Sequence, residues 1–339
     1  MIKKIIIKKR SKRLIKKLQQ ETGLFIAANC KKTGYNKAWI RDNIYEALGL
    51  EAVEDINSVK VTYSALFDML LKHEYKIDWA IKEKPDYAFK YIHARYNPIT
   101  FDEYHEEWGN KQNDAIGAFL FKVGDLYTKG VDIIRDENDL RILKKLVMYL
   151  EKIEYWHDPD NGIWENEEEI HASSVGACAA GLEKIKNVIH VDDSLIARGK
   201  EMLNKMLPAE SESRKTDLAL LSLIYPYNIV DEEQKDMILK NVEKYLVREK
   251  GVIRYYNDWY YAAKDGREAQ WVMGFAWLAK IYKEIGNKVK YDYYVNKLHS
   301  CANWKGELPE LYYYNDEKLV YNENTPLGWS QAMYLVAIS

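Results

Sequence analysis

The chain has 339 residues, three Cys and a formal net charge of −2. At roughly 150 residues per domain, that length favours two domains unless one large core takes the whole chain. With 47% hydrophobic and 30% charged residues, the composition excludes disorder, and no apolar run nears the roughly 18 residues of a membrane helix. The basic start has an apolar core of only Ile5–Ile7, too short for a secretory signal. Cys30, Cys178 and Cys301 are odd in number and far apart. They argue against a disulfide framework or a Cys-pair metal site and fit a reducing cytoplasm.

Charge and aromatics are unevenly placed. The first 17 residues hold nine Lys or Arg and no acid, which leaves 41 basic against 52 acidic residues in the rest, a net −11. An acidic body disfavours nucleic acid, which needs a basic face. Residues 1–17 read as a solvated basic lead-in to a first helix. Tyr (27) and Trp (10) far outnumber Phe (7), so the aromatic surplus carries polar edges suited to half-wet stacking surfaces.

Along the chain the pattern is almost all helix, with starts expected near residues 11, 41, 58, 112, 137, 172, 193, 214, 231, 267, 288 and 327. In the segment 136–153, Leu140, Leu143, Leu146, Val147 and Leu150 recur at helical spacing between Lys and Glu. Asp231 with Gln234 reads as a capping box. Two longer non-helical stretches, near 84–111 and 252–264, are rich in Tyr and Trp, and loops of that kind often carry function. No linker separates two halves. Twelve evenly spaced helices therefore suggest one closed α/α toroid, a single domain over 1–339, with an irregular α-bundle as the alternative.

Several chemistries are absent from the sequence. There is no Gly-rich dinucleotide or phosphate loop and no His-Glu-x-x-His zinc helix. What remains is carboxylates beside Trp, Gly and Pro. Glu165 follows Gly162-Ile163-Trp164 after a tight Asp158-Pro159-Asp160-Asn161 turn. Pressed against the Trp164 indole it would be partly desolvated and kept as an acid. Glu310 sits in Leu308-Pro309-Glu310-Leu311, a Pro-stiffened loop, with Glu307 as a rival nearby. Two carboxylates on rigid loops suit glycoside hydrolysis, one as acid and one as base. Trp39-Ile40-Arg41-Asp42 places a charged pair beside an indole, a set that can share the hydroxyls of one sugar ring while the indole stacks on its face. Trp108 with Gln112 and Asp114, and Arg254-Tyr255 with Asp258-Trp259, repeat the theme. His171 reads as a structural histidine.

Together these segments resemble glycoside hydrolase family 15, the glucoamylase family, and more closely the related N-terminal region of the phosphorylase kinase α and β regulatory subunits. The matching stretches are Ala38-Trp39-Ile40-Arg41-Asp42-Asn43, His93-Ala94-Arg95-Tyr96-Asn97 and Trp108-Gly109 with Gln112 and Asp114. Gly162-Ile163-Trp164-Glu165, His171-Ala172-Ser173-Ser174-Val175-Gly176, Leu308-Pro309-Glu310-Leu311 and Gly328-Trp329-Ser330-Gln331 follow in the same order. The resemblance implies an all-α (α/α)6 barrel with its site where the loops of the inner helices converge. It implies Glu165 as general acid and Glu310 as general base of an inverting, exo-acting α-glucoside hydrolase that releases β-D-glucose. It further implies Arg41 and Asp42 gripping the terminal glucose, Trp108, Gln112 and Arg254 as further subsite residues, and no cofactor or metal. Trp39 and Trp164 join the site as the indoles beside these groups. An α-glucan or gluco-oligosaccharide is the expected partner, with neither nucleic acid nor membrane.

Asn113 and Asn166 depart from the family pattern. Asn113 stands in place of Leu, a packing change. Asn166 stands where many members carry Arg, which leaves the acid short of that neighbour. The kinase-subunit likeness keeps an alternative open: a non-catalytic glucan-binding or regulatory module.

Overall fold

The computed structural model describes residues 2–339. Met1, the first residue of the expected lead-in, lies outside them. Thirteen α-helices are present among the described residues: α1 (Ile2–Leu18), α2 (Ile40–Glu51), α3 (Ile56–Lys72), α4 (Glu74–Lys82), α5 (Asn113–Thr128), α6 (Glu137–Ile153), α7 (Ala172–Ile185), α8 (Asp193–Met206), α9 (Leu221–Ile224), α10 (Glu232–Asn241), α11 (Met273–Glu284), α12 (Lys288–Cys301) and α13 (Gly328–Ile338).

Two populations of helix follow from the sequence pattern. α6 has one apolar face: Leu143, Leu146, Val147 and Leu150 are buried while Lys and Glu face water. Asp136 caps it, accepting from the backbone N–H groups of Asn138 and Asp139. By contrast α2, α5, α7, α11 and α13 are buried almost all round, as helices must be when they are enclosed by others. These five and the short α9 close a ring, in which α2 touches α5, then α7, α9, α11, α13 and α2 again. The outer helices α3, α8, α10 and α12 each pack against the inner helix that precedes them, and α1 against α2 and α13. This is the closed toroid suggested by the helix spacing, in the (α/α)6 form that the family resemblance implies.

Within the ring, α5 and α7 meet backbone to backbone. A Cβ placed on Gly117 would stand 2.4 Å from the carbonyl carbon of Ala177. Gly117→Ala is expected to destabilise the protein by about 1–3 kcal/mol, although Ala is the better helix former by about 1 kcal/mol. Urea unfolding measures it, and a variant as stable as wild type would show that the two helices can part.

The structure departs from the expected elements in four places. The first helix starts earlier than residue 11: α1 begins at Ile2 and runs through Leu18, with Ile7, Leu14, Ile15 and Leu18 buried. One helix is expected from residue 58 onward, and the structure holds two, α3 and α4, which part at His73. The expected helix starts at 214 and 267 fall later, at 218–221 and 273. The residues between are used in loops and a strand at the barrel rim. Finally, small sheets are present. β1 (Ala38–Trp39) pairs with β2 (Arg95–Tyr96), and β3 (Gln270–Trp271) with β4 (Leu311–Asn315), which pairs with β5 (Lys318–Tyr321), all antiparallel. The Tyr run of β4 before the turn at Asp316, which has a φ of 53°, is the available signal. The capping box at Asp231 and Gln234 is present as expected. No described helix is long and apolar enough to cross a membrane.

Candidate active site

The starts of the inner helices gather their polar residues at one end of the ring. Arg41 and Asp42 open α2, Gln112 immediately precedes α5 with Asp114 in its first turn, and Trp329 opens α13. The loops before these helices fill the remaining positions. They surround a small cavity of about 50 Å³ lined by Tyr35, Trp39, Arg41, Asp42, Ile163, Trp164, Glu165, Arg254, Trp271, Met273, Glu310 and Trp329, with Ala27 and Leu327. The mix of aromatic walls with a few convergent polar groups is usual for a small-molecule site.

Arg41 is the hub. Its Nη1 donates to Gln112 Oε1 at 3.0 Å and to the Asp114 carboxylate at 3.0 and 3.2 Å, and its Nη2 donates to Glu165 Oε1 at 3.4 Å. Burial works against its charge, but Asp114, Glu165 and Asp42 outweigh this and hold its pKa above the ordinary value.

Glu165 stands at a backbone φ of 61°, a left-handed conformation that non-glycine residues rarely adopt and that clusters at functional sites. Asn161 and Asn166 fix it by a reciprocal pair: Asn166 N–H to Asn161 O at 3.1 Å and Asn161 Nδ2 to Asn166 O at 2.7 Å. Gly109 lets the backbone approach, since a Cβ there would meet Glu165 O at 2.7 Å. The carboxylate accepts from Gln112 Nε2 at 2.8 Å and from the Trp108 indole N–H. The indole that holds Glu165 is therefore Trp108. The expected one, Trp164, points the other way and donates to buried Asp217 at 2.7 Å. Asn113, the expected packing change, instead ties down the turn before Glu165. Its backbone N–H reaches Asp160 at 2.8 Å and its amide reaches Asp158 at 3.1 Å.

Glu310 is buried against β3, with its carbonyl accepting from Val272 N–H. Tyr35 donates to its Oε1 at 2.7 Å, and the amides of Asn322 and Asn324 both donate to its Oε2. Burial raises its pKa, opposed by the bonds from Asn324, Tyr35 and Asn322. Glu307 lies outside the cavity and pairs with Asn303 and Arg10. Arg254 makes a two-pronged pair with Asp258, 2.6 Å in each arm, and its guanidinium sits 4.7 Å from the Trp271 ring centre.

Seven of the nine expected site residues thus line one cavity, and the other two, Trp108 and Gln112, bond to Glu165. Trp259, expected beside the sugar-binding residues, is 67% exposed and lies outside the lining. His171 is buried beside Glu210, and burial lowers its pKa to about 4, which suits a neutral structural group. Tyr35, Trp271, Asn322 and Asn324 join the site without a motif to mark them. Their only advance signal is the aromatic surplus and the Asn-Glu-Asn run before Pro326.

Asp42 gives a test by titration. Burial pushes its pKa up to about 7, with Arg41 opposing and Glu165 and Glu310 adding to the rise. For a carboxyl raised on folding, the stability it contributes is present in full below the unfolded pKa and is lost as pH climbs through the folded one. The urea midpoint should therefore fall between about pH 4 and pH 7, and Asp42→Asn should flatten that slope. An unchanged slope in the variant would assign it to other groups.

Comparison with known proteins agrees with this architecture. The barrel and the cavity at the N-terminal ends of its inner helices define a six-hairpin glycosidase fold. The profile of the Glycosyl hydrolases family 15 matches residues 3–198, and the chain belongs to that family. A probable phosphorylase b kinase regulatory subunit alpha of Drosophila melanogaster is 26% identical over 82% of this chain. The skeletal muscle isoform of that subunit from Oryctolagus cuniculus is 24% identical over 93%. The chain spans only 26% and 31% of the lengths of these two relatives. Among solved structures, a glycosidase in complex with glucose superposes with a TM-score of 0.84 at 20% identity, covering 98% of this chain and 96% of that one. A glucoamylase from Saccharomycopsis fibuligera gives 0.65 at 16% identity, covering 98% and 94%. At such identities the two structures speak for the fold alone.

Proposed function

We propose that the protein is an inverting, exo-acting α-glucoside hydrolase that releases β-D-glucose from an α-linked glucan or oligosaccharide. The observation that carries this is the lining of a single cavity by Glu165, Glu310, Arg41 and Asp42. Trp39, Trp164, Trp271 and Trp329 supply apolar walls for a pyranose ring, and Arg41 with Asp42 supplies a donor and an acceptor for its hydroxyls. Glu165 gives its proton to the glycosidic oxygen as the C1–O bond breaks. Glu310 takes a proton from water as that water bonds to C1 from the opposite face. The product is inverted at C1, and the two carboxyls return to their starting states by proton exchange with solvent. Inversion asks for carboxyls about 6.5–9.5 Å apart, with room for the water. The polar crown on Glu310 suits a base: Tyr35, Asn322 and Asn324 all donate to it and so favour its charged form.

The test is incubation with maltose, maltotriose, isomaltose and trehalose, with anomeric proton NMR of the glucose formed. β-Glucose appearing first is the expected result. α-Glucose first would overturn inversion, and no release from any of the four would overturn the hydrolase.

The kinase-subunit relatives, similar over most of this chain, favour a second reading: a glucan-binding or regulatory module without turnover. Calorimetry would then show oligosaccharide binding with no hydrolysis. Turnover at roughly 1–10³ per second excludes it.

A further inference from the structure

Outside the cavity lining lies a cation that no step above uses. Arg95, on β2 opposite Trp39 of β1, is 1% exposed. Its Nε and Nη2 find no hydrogen-bond partner among the described residues. Its nearest carboxylate is Glu106, 3.6 Å from Nη1. A buried guanidinium ordinarily spends its donors on bidentate bonds, as Arg254 does with Asp258. Arg95 is held by faces instead: its guanidinium carbon is 4.3 Å from the ring centre of Trp108 and 5.7 Å from that of Trp39. Trp108 is itself 40% exposed and has no neighbouring aromatic ring within stacking range among the described residues. One face of that indole rests on Arg95, and its N–H bonds to Glu165.

We propose that Arg95 is a positioning residue for the acid: its plane orients Trp108, and Trp108 orients the Glu165 carboxyl. The arrangement forms a continuous chain from a buried strand to the reacting atom. Shape is the property that matters, since a guanidinium can stack flat along an indole whereas an ammonium meets it as a point charge. Arg95 touches neither the cavity nor the sugar, so its loss should appear in the chemical step and leave ground-state binding alone. This inference rests on the hydrolase reading above.

The experiment compares wild type, Arg95→Met, Trp108→Phe and the double variant on maltose, with Glu165→Gln as reference. Arg95→Met should lower kcat by about 10- to 100-fold, the cost of a small misplacement of a catalytic group, with KM nearly unchanged. Because both residues act through one contact, the double variant should lose no more than the worse single variant. Arg95→Lys keeps the charge and the fold where the Met variant does not fold, and should show a smaller loss of the same kcat-only kind. Wild-type kcat in either Arg95 variant, or losses that multiply in the double, would overturn the inference. If the wild type hydrolyses maltose and Glu165→Gln does not, such a result would overturn the inference alone. If no form releases glucose, the hydrolase reading falls and this inference with it.

Discussion

Glu165→Gln and Glu310→Gln are each expected to cut glucose release by about 10²–10⁴-fold, the share a positioned acid or base contributes, while calorimetric affinity for the same oligosaccharide stays close to wild type. The amide is isosteric with the carboxyl, so what is lost is the proton transfer. At Glu310 the local bonding also accepts the change. The carbonyl of a Gln can take the two donors from Asn322 and Asn324, and its NH2 can turn to Tyr35, whose hydroxyl is able to accept as well as donate. Stability separates this from ordinary damage to the core. Burial raises the Glu310 pKa, so folding carries a cost for keeping that carboxylate charged at neutral pH. Glu310→Gln should therefore be inactive and yet at least as stable as wild type in urea. A variant that keeps turnover removes Glu310 as the base. One that loses both stability and binding would make it a structural carboxylate.

That outcome also discriminates between the two functional readings. In a regulatory module neither substitution would change a turnover that is not there, and binding would persist in all three proteins.

Some parts of this site are legible in the sequence and others are not, for physical reasons. Trp39, Arg41 and Asp42 are consecutive or nearly so on one chain segment, and the same is true of Trp164 and Glu165, so short motifs announce them. The partner of Glu165 is misread because adjacency in sequence is not contact in space. Side chains of neighbouring residues diverge, and the left-handed turn at Glu165 sends the carboxylate to Trp108, 57 positions away. Tyr35 reaches Glu310 across 275 positions, and one Tyr among 27 offers nothing to mark it. The helical ring is legible because most inner helices follow an amphipathic outer one at even spacing. The strands are not, since β1, β2 and β3 are two residues long and hold a period-2 pattern too short to register against a helical background.

Arg41→Leu is expected to cost about 3–5 kcal/mol of stability, the penalty of leaving a buried charge without its partner. Asp114 is only 1% exposed and takes both of its Arg41 bonds from the single nitrogen Nη1. No other cation among the described residues pairs with it. Arg41→Lys should recover part of that loss, since one ammonium can still reach Asp114, but it cannot span Gln112, Asp114 and Glu165 together as the guanidinium does. Sugar affinity should therefore remain low in the Lys variant even where its urea midpoint is largely restored. The double variant Arg41→Leu with Asp114→Leu removes both charges at once. Replacing a buried pair by apolar side chains is often neutral, so the double should unfold later than Arg41→Leu alone while binding no oligosaccharide. Urea unfolding and calorimetry on the four proteins decide it. If Arg41→Leu stays within about 1 kcal/mol of wild type, the range of ordinary surface pairs, the Arg41–Asp114 pair does not hold the site together, and the convergence of α2 and α5 must rest on apolar packing alone.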